Sequence, residues 1–154
     1  MKCRNENIKI NILCSFDKIK LPLDFEELKN EFKKASDIDY KAAVLGAMLP
    51  FKNREVLDLI FNCDRSIKNQ DILKVYIKAL AVFCSEDDKF LLLENLDKLN
   101  DSACHEILPF LIENENLKEH AELYRKILYK LYSMNRCSVC RKEIFDKIIE
   151  FNFL

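Results

Sequence analysis

The chain has 154 residues with 25 Lys+Arg against 26 Asp+Glu, a net charge of −1 at pH 7. That length suits one domain, and that charge argues against a general nucleic-acid binder. It contains one Gly and three Pro; tight hairpins and phosphate-cradling loops draw on glycine, so a sheet-rich fold and a P-loop are set aside.

Residues 1–23 admit two readings. Ile8, Ile10 and Ile12 alternate as in a strand, while Ile8, Ile12, Phe16 and Ile19 fit one helix face. A lone strand has no partner in this chain, so an N-terminal arm or a first helix is expected. Asp24, followed three residues later by Glu27, has the capping-box spacing that opens a helix, with Phe25, Leu28 and Phe32 on one face. Ser36 or Asp37 starts the next, whose stripe is Tyr40, Ala43, Val44, Ala47 and Met48 and whose end is marked by Pro50. Asn53 caps a short helix bearing Val56, Leu57, Ile60 and Phe61.

Between Gln70 and Cys84 the apolar residues cover nearly the whole circumference, the pattern of a buried central helix. Glu86 to Leu99 is amphipathic again, with Leu92, Leu93, Leu96 and Leu99 on one side. Asp101 or Ser102 caps a helix expected to be interrupted near Pro109. A long helix is expected from Asn116, with Leu117, His120, Tyr124, Leu128 and Leu131 inward, and Ser138 caps a last one carrying Ile144, Phe145, Ile148 and Ile149.

About eight helices joined by short polar turns make antiparallel neighbours, so one all-α domain is expected over residues 1–154, with helix hairpins over residues 24–152. Shifting the chain by 32 residues places Asp39 on Asp71, Ala47 on Ala79 and Phe51 on Phe83. The second helices of successive pairs begin near residues 39, 70, 102 and 138, in the range of helical-hairpin repeats. On these features the chain resembles the HEAT-like and armadillo-like α-solenoid proteins over residues 24–152. The resemblance implies a short, irregular solenoid. The regular Asp/Arg and Pro positions of ordered HEAT repeats are missing, which keeps an irregular helical bundle as the alternative.

The seven cysteines are odd in number, scattered and mostly set in apolar runs. The polar start, Met1 to Glu6, leads to no apolar leader, and no stretch approaches the roughly 20 apolar residues of a membrane span. A cytoplasmic protein with reduced thiols and no cofactor is therefore expected. Cys137 and Cys140 form a CxxC at a helix start. Such a pair can have a depressed thiol pKa or supply half a zinc site, for which Cys104, His105 and His120 are the remaining donors. No βαβ setting or second CxxC accompanies it, so a structural role stands first and a metal or redox site second. Cys104 and His105 are adjacent and fall on different helix faces, out of nucleophile–base reach. His120 reads as a core histidine. With no convergent polar cluster, the chain reads as a binding protein rather than an enzyme.

Charge is uneven. Residues 86–114 hold two Lys against eight acids, while 1–20 and 115–154 are net positive. The acidic stretch is a candidate surface for a basic protein, because clustered charge of one sign steers association with its opposite. Its residues are Glu86, Asp87, Asp88, Glu94, Asp97 and Asp101, with Phe90 and Leu91 as apolar anchors. Among small helical proteins this looks like an immunity protein that masks a toxin, or an adaptor. The competing surface is nucleic-acid binding through Lys126, Tyr129, Lys130, Arg136, Arg141 and Lys142. HEAT-like DNA-repair glycosylases use such a groove, but this chain has no Trp and its cations alternate with Glu119, Glu122 and Glu143.

Overall fold

The computed structural model describes residues 24–152, so the expectation for residues 1–23 lies outside it. The described residues are all-α, with nine α-helices, one 3₁₀ turn and no strand. In chain order they are α1 (Phe25–Lys34), α2 (Ile38–Met48), the 3₁₀ turn Leu49–Phe51, α3 (Glu55–Cys63) and α4 (Gln70–Phe83). Then follow α5 (Glu86–Leu96), α6 (Asp101–Glu113), α7 (Glu115–Lys118), α8 (Ala121–Met134) and α9 (Ser138–Glu150). None of these helices is long and apolar enough to cross a membrane. The chain divides into two compact units, one ending at Ala79 and one beginning at Leu80, each described by itself.

In the first unit the sequence signals act where they stand. Asp24 accepts from the Glu27 amide at 2.8 Å while Glu27 accepts from the Asp24 amide at 3.0 Å, closing the capping box of α1. Asp37 caps α2 through the Tyr40 amide. α1 and α3 both pack against α2, whose Tyr40, Val44, Leu45, Ala47 and Met48 are buried. A chain with one glycine must turn on other residues: in this unit Lys52 and Ile67 take left-handed φ values of 52° and 46°. For the β-branched Ile67 this is strained, and Asp64 supplies the compensation. Its carboxylate accepts from the Ser66 amide and hydroxyl, both at 3.1 Å, and from the Lys68 and Asn69 amides at 2.6 and 2.9 Å. These bonds hold the Asp64 carboxyl below its ordinary pKa. Within this unit α4 is buried as its pattern predicts: Ile72, Leu73, Val75, Tyr76, Ile77 and Ala79 are all in the core.

In the second unit α8 packs against α5, α6, α7 and α9, and α6 packs against α9. Tyr124 of α8 is fully buried and donates at 2.6 Å to the carbonyl of Ile112, in the last turn of α6, where helical carbonyls lack partners of their own. Burial pushes its phenol up to about 12. Lys147 of α9 reaches Glu113 of α6 at 3.0 Å.

Four local expectations are corrected here. α6 runs unbroken through Pro109. The ring is on the exposed side, where water can take the carbonyl that Pro109 cannot serve, and buried Ile107, Leu108, Leu111 and Ile112 hold both halves in register. Asn100, rather than Asp101 or Ser102, caps α6 through the Ala103 amide at 2.8 Å. The long helix expected from Asn116 is two helices: Asn114 caps the single turn α7, and the chain leaves helical geometry at His120 before α8 begins. Asn116 instead donates to the Ala81 and Val82 carbonyls at 2.8 and 3.2 Å, completing the end of α4. Cys137, not Ser138, is the residue preceding α9.

Candidate functional site

α5 begins at a second capping box. Ser85 is the N-cap; its amide and hydroxyl donate to the Asp88 carboxylate at 2.9 and 2.6 Å, and the Asp88 amide donates back to the Ser85 hydroxyl at 3.3 Å. Asp88 is therefore 2% exposed. It was expected among the partner-binding acids, and the structure takes it off the surface: an acid at the third position of a helix preceded by Ser serves the backbone first. Leu91 is half-buried and makes at most an edge of any contact surface.

The other acids are outside. Glu86 is exposed and accepts from Lys89 at 2.6 Å, and that hydrogen bond, with the charge behind it, lowers its pKa. Asp87 and Asp101 are exposed. Glu94 sits 3.5 Å from Lys98, and Asp97, at the end of α5, accepts from Lys130 of α8 at 2.7 Å. Phe90 is 69% exposed, on the opposite side of the helix from buried Leu92 and Leu96. Helical spacing places Glu86, Asp87, Glu94 and Asp97 around it at three, four and seven residues. Beside this face lies a groove of about 420 Å³ lined by Glu86, Lys89, Phe90, Leu93, His120, Glu122 and Lys126. His120, expected in the core, is half-buried on the groove wall because the break between α7 and α8 turns it out.

Most of the C-terminal cations meet an acid or an aromatic ring. Lys126 faces Glu122 at 3.4 Å, Lys130 faces Asp97, Lys142 faces Asp146 at 2.8 Å, and the Arg141 guanidinium lies 4.4 Å from the Tyr132 ring centroid. Arg136 and Tyr129 are exposed.

A separate cluster forms where α9 meets α6. Cys137 is exposed at the N-cap of α9, Cys140 is buried one turn on, and exposed His105 of α6 brings its Nδ1 to 3.0 Å from the Cys140 sulfur. One donor atom from each of the three residues lies within 4.8 Å of the others. The Cys140 amide, the Cys140 thiol and the Val139 amide lower the Cys137 pKa, in that order. Burial, then Cys137, pushes the Cys140 thiol up to about 11. Cys104, the neighbour of His105, points elsewhere as the helix geometry requires, and is buried with its sulfur 3.5 Å from the Asn135 amide nitrogen. Sequence reasoning named the CxxC and put His105 among its available donors. It had no signal to choose His105 over His120, because that choice depends on packing across 35 residues.

Comparison with known proteins matches the chain to no family model, no curated protein and no solved structure. Function therefore rests on the geometry of these two places.

Proposed function

We propose that the chain is a non-catalytic protein–protein interaction module that binds a basic protein through the outer face of α5. The observation that carries this is Phe90: a large aromatic side chain, 69% exposed, ringed by Glu86, Asp87, Glu94 and Asp97 on one helix face. An exposed aromatic anchor beside clustered acids is the composition of a binding hot spot with a steering rim. Lys89, Lys98 and Lys130 offset part of the negative charge, but the acids they meet stay on the surface. The occupant is accordingly a protein presenting Lys or Arg around an apolar pocket. An inhibitor of the immunity type, masking a basic toxin, and a small adaptor both fit that description.

The packing of the second unit supports the hairpin-repeat reading. α5 meets α8, α6 meets α9, and α8 meets both α6 and α9. These are contacts that stacked helical pairs would make with one another, and Phe90 of α5 is left exposed.

The test is affinity capture from lysate of the native source at moderate salt, run in parallel with wild-type chain and with Phe90→Ala. The proposal expects one stoichiometric basic protein retained by the wild type and depleted with the variant. A protein retained equally by both, or nuclease-sensitive material retained in its place, refutes it. The latter would move the reading to Lys126, Lys130, Arg136, Arg141 and Lys142.

A further inference from the structure

We propose that His105, Cys137 and Cys140 form a binding site for a thiophilic divalent metal ion, Zn²⁺ being the natural occupant. The argument begins with donor chemistry. Two thiols and an imidazole are the ligand set that soft and borderline cations select, and hard cations such as Mg²⁺ and Ca²⁺ avoid. With both thiols ionised and the imidazole neutral, a divalent ion leaves the centre uncharged, which suits a place where one sulfur is buried.

Geometry comes next. In a tetrahedral zinc site with Zn–S of about 2.3 Å and Zn–N of about 2.0 Å, neighbouring donor atoms lie roughly 3.5–3.8 Å apart. Here the Cys140 sulfur and His105 Nδ1 are 3.0 Å apart, and all three donors lie within 4.8 Å of one another. Shifts of about an ångström separate these spacings from three corners of a tetrahedron.

Local structure explains why the donors stay there. Cys137 is the N-cap of α9 and Cys140 is its third residue, so both sulfurs lie at the first turn of the same helix. His105 comes from a different helix, and buried Ile144 and Ile148 of α9, with Ile107 and Leu108 of α6, anchor the two elements that carry the donors. These two elements are in direct packing contact. Cys140 is buried while Cys137 and His105 are exposed, so the fourth corner opens toward solvent. Three protein donors with an open fourth position leave room for a water molecule or for a side chain from a bound protein. The site shares no residue with the α5 face, so it stands or falls independently of the proposed function.

The experiment is titration of the reduced full-length chain with Co²⁺ in the absence of chelator, followed by competition with Zn²⁺. The expected result is thiolate-to-cobalt charge-transfer absorption in the near ultraviolet and tetrahedral d–d bands in the visible, saturating at one equivalent and abolished by Zn²⁺. Cys137→Ser and His105→Ala alter exposed residues and leave the fold intact, which circular dichroism checks. Each is expected to weaken Co²⁺ binding more than tenfold, with the charge-transfer intensity falling in the cysteine variant and the d–d envelope shifting in the histidine variant. Absence of thiolate–cobalt absorption in the wild type overturns the site. Spectra and affinity unchanged by His105→Ala overturn the three-donor assignment. A Cys137–Cys140 disulfide that persists under millimolar reductant, seen by alkylation and mass spectrometry, overturns it in favour of thiol redox chemistry.

Discussion

Replacing Asp88 and Asp87 one at a time separates the acid that builds α5 from the acid that faces a partner. The two residues are adjacent, carry the same charge and both lie in the first turn. Asp88 accepts two hydrogen bonds from Ser85 within its capping box and is 2% exposed, whereas Asp87 is exposed. Asp88→Ala removes both acceptors and leaves a small buried gap. Ser85 keeps its bond from the residue-88 amide, but losing the two hydrogen bonds it donates to Asp88 costs about 1 kcal/mol each, for a total of about 2 kcal/mol. In a chain of this size that is a fall in Tm of roughly 4–8 °C. Asp87→Ala loses only a dipole interaction of about 0.5 kcal/mol, a fall of about 2 °C or less. Thermal melting followed by circular dichroism at 222 nm (the helical band) resolves the difference. Equal shifts for the two variants would refute the assignment of Asp88 to the cap, and with it the reasoning that leaves Asp88 out of the docking surface.

Two further perturbations test the fold. Gly46 lies inside α2 with no left-handed φ, and a Cβ built there meets only the Val75 side chain, at 4.0 Å, an ordinary contact. Gly46→Ala is therefore expected to stabilise the chain by about 1 kcal/mol in chemical denaturation, through helix propensity alone; no gain, or a loss, would show that α2 needs the closer approach. Asp64 has its pKa depressed in the fold, so its contribution is full above the ordinary value of 3.8 and is lost as pH falls through the lower folded value. Asp64→Asn should cost about 2 kcal/mol at pH 7, and the gap between the wild type and the variant should narrow as the pH falls through the depressed folded value. A gap that stays constant across that range would contradict the hydrogen-bonded role of the carboxylate.

What the sequence disclosed, and what it withheld, follows from the range of the interactions involved. The Asp24 and Asp37 caps, the end of α2 at Pro50 and the all-round apolar pattern of α4 are effects of neighbouring residues, and each is where its spacing predicts. The continuity of α6 through Pro109 depends on which side of the helix the ring occupies and on the buried residues flanking it. The break at His120 accompanies the bonds that Asn116 donates to the carbonyls of Ala81 and Val82. Both are decided by packing, to which local pattern is blind. The same division runs through the candidate sites. The CxxC and the acidic stretch are visible as spacing and composition. The role of Asp88 was written in the Ser85–Asp88 spacing, as legible as the Asp24–Glu27 pair, and was outweighed by its place in a run of acids. His105 joins Cys140 only through the contact of α6 with α9, and the exposure of Phe90 becomes decisive only once Leu92 and Leu96 are seen to take the inner face.

The most direct measurement is the dissociation constant between the captured basic protein and two forms of the chain, the wild type and the double variant Asp87→Lys/Glu94→Lys. Asp88 stays in place so that α5 keeps its cap, and equal melting curves confirm that both forms are folded. A more than tenfold weaker complex for the double variant, with the difference narrowing as salt is raised, is the result expected if the outer face of α5 is the docking surface. Equal dissociation constants at low salt would place the partner elsewhere and end the case for this helix.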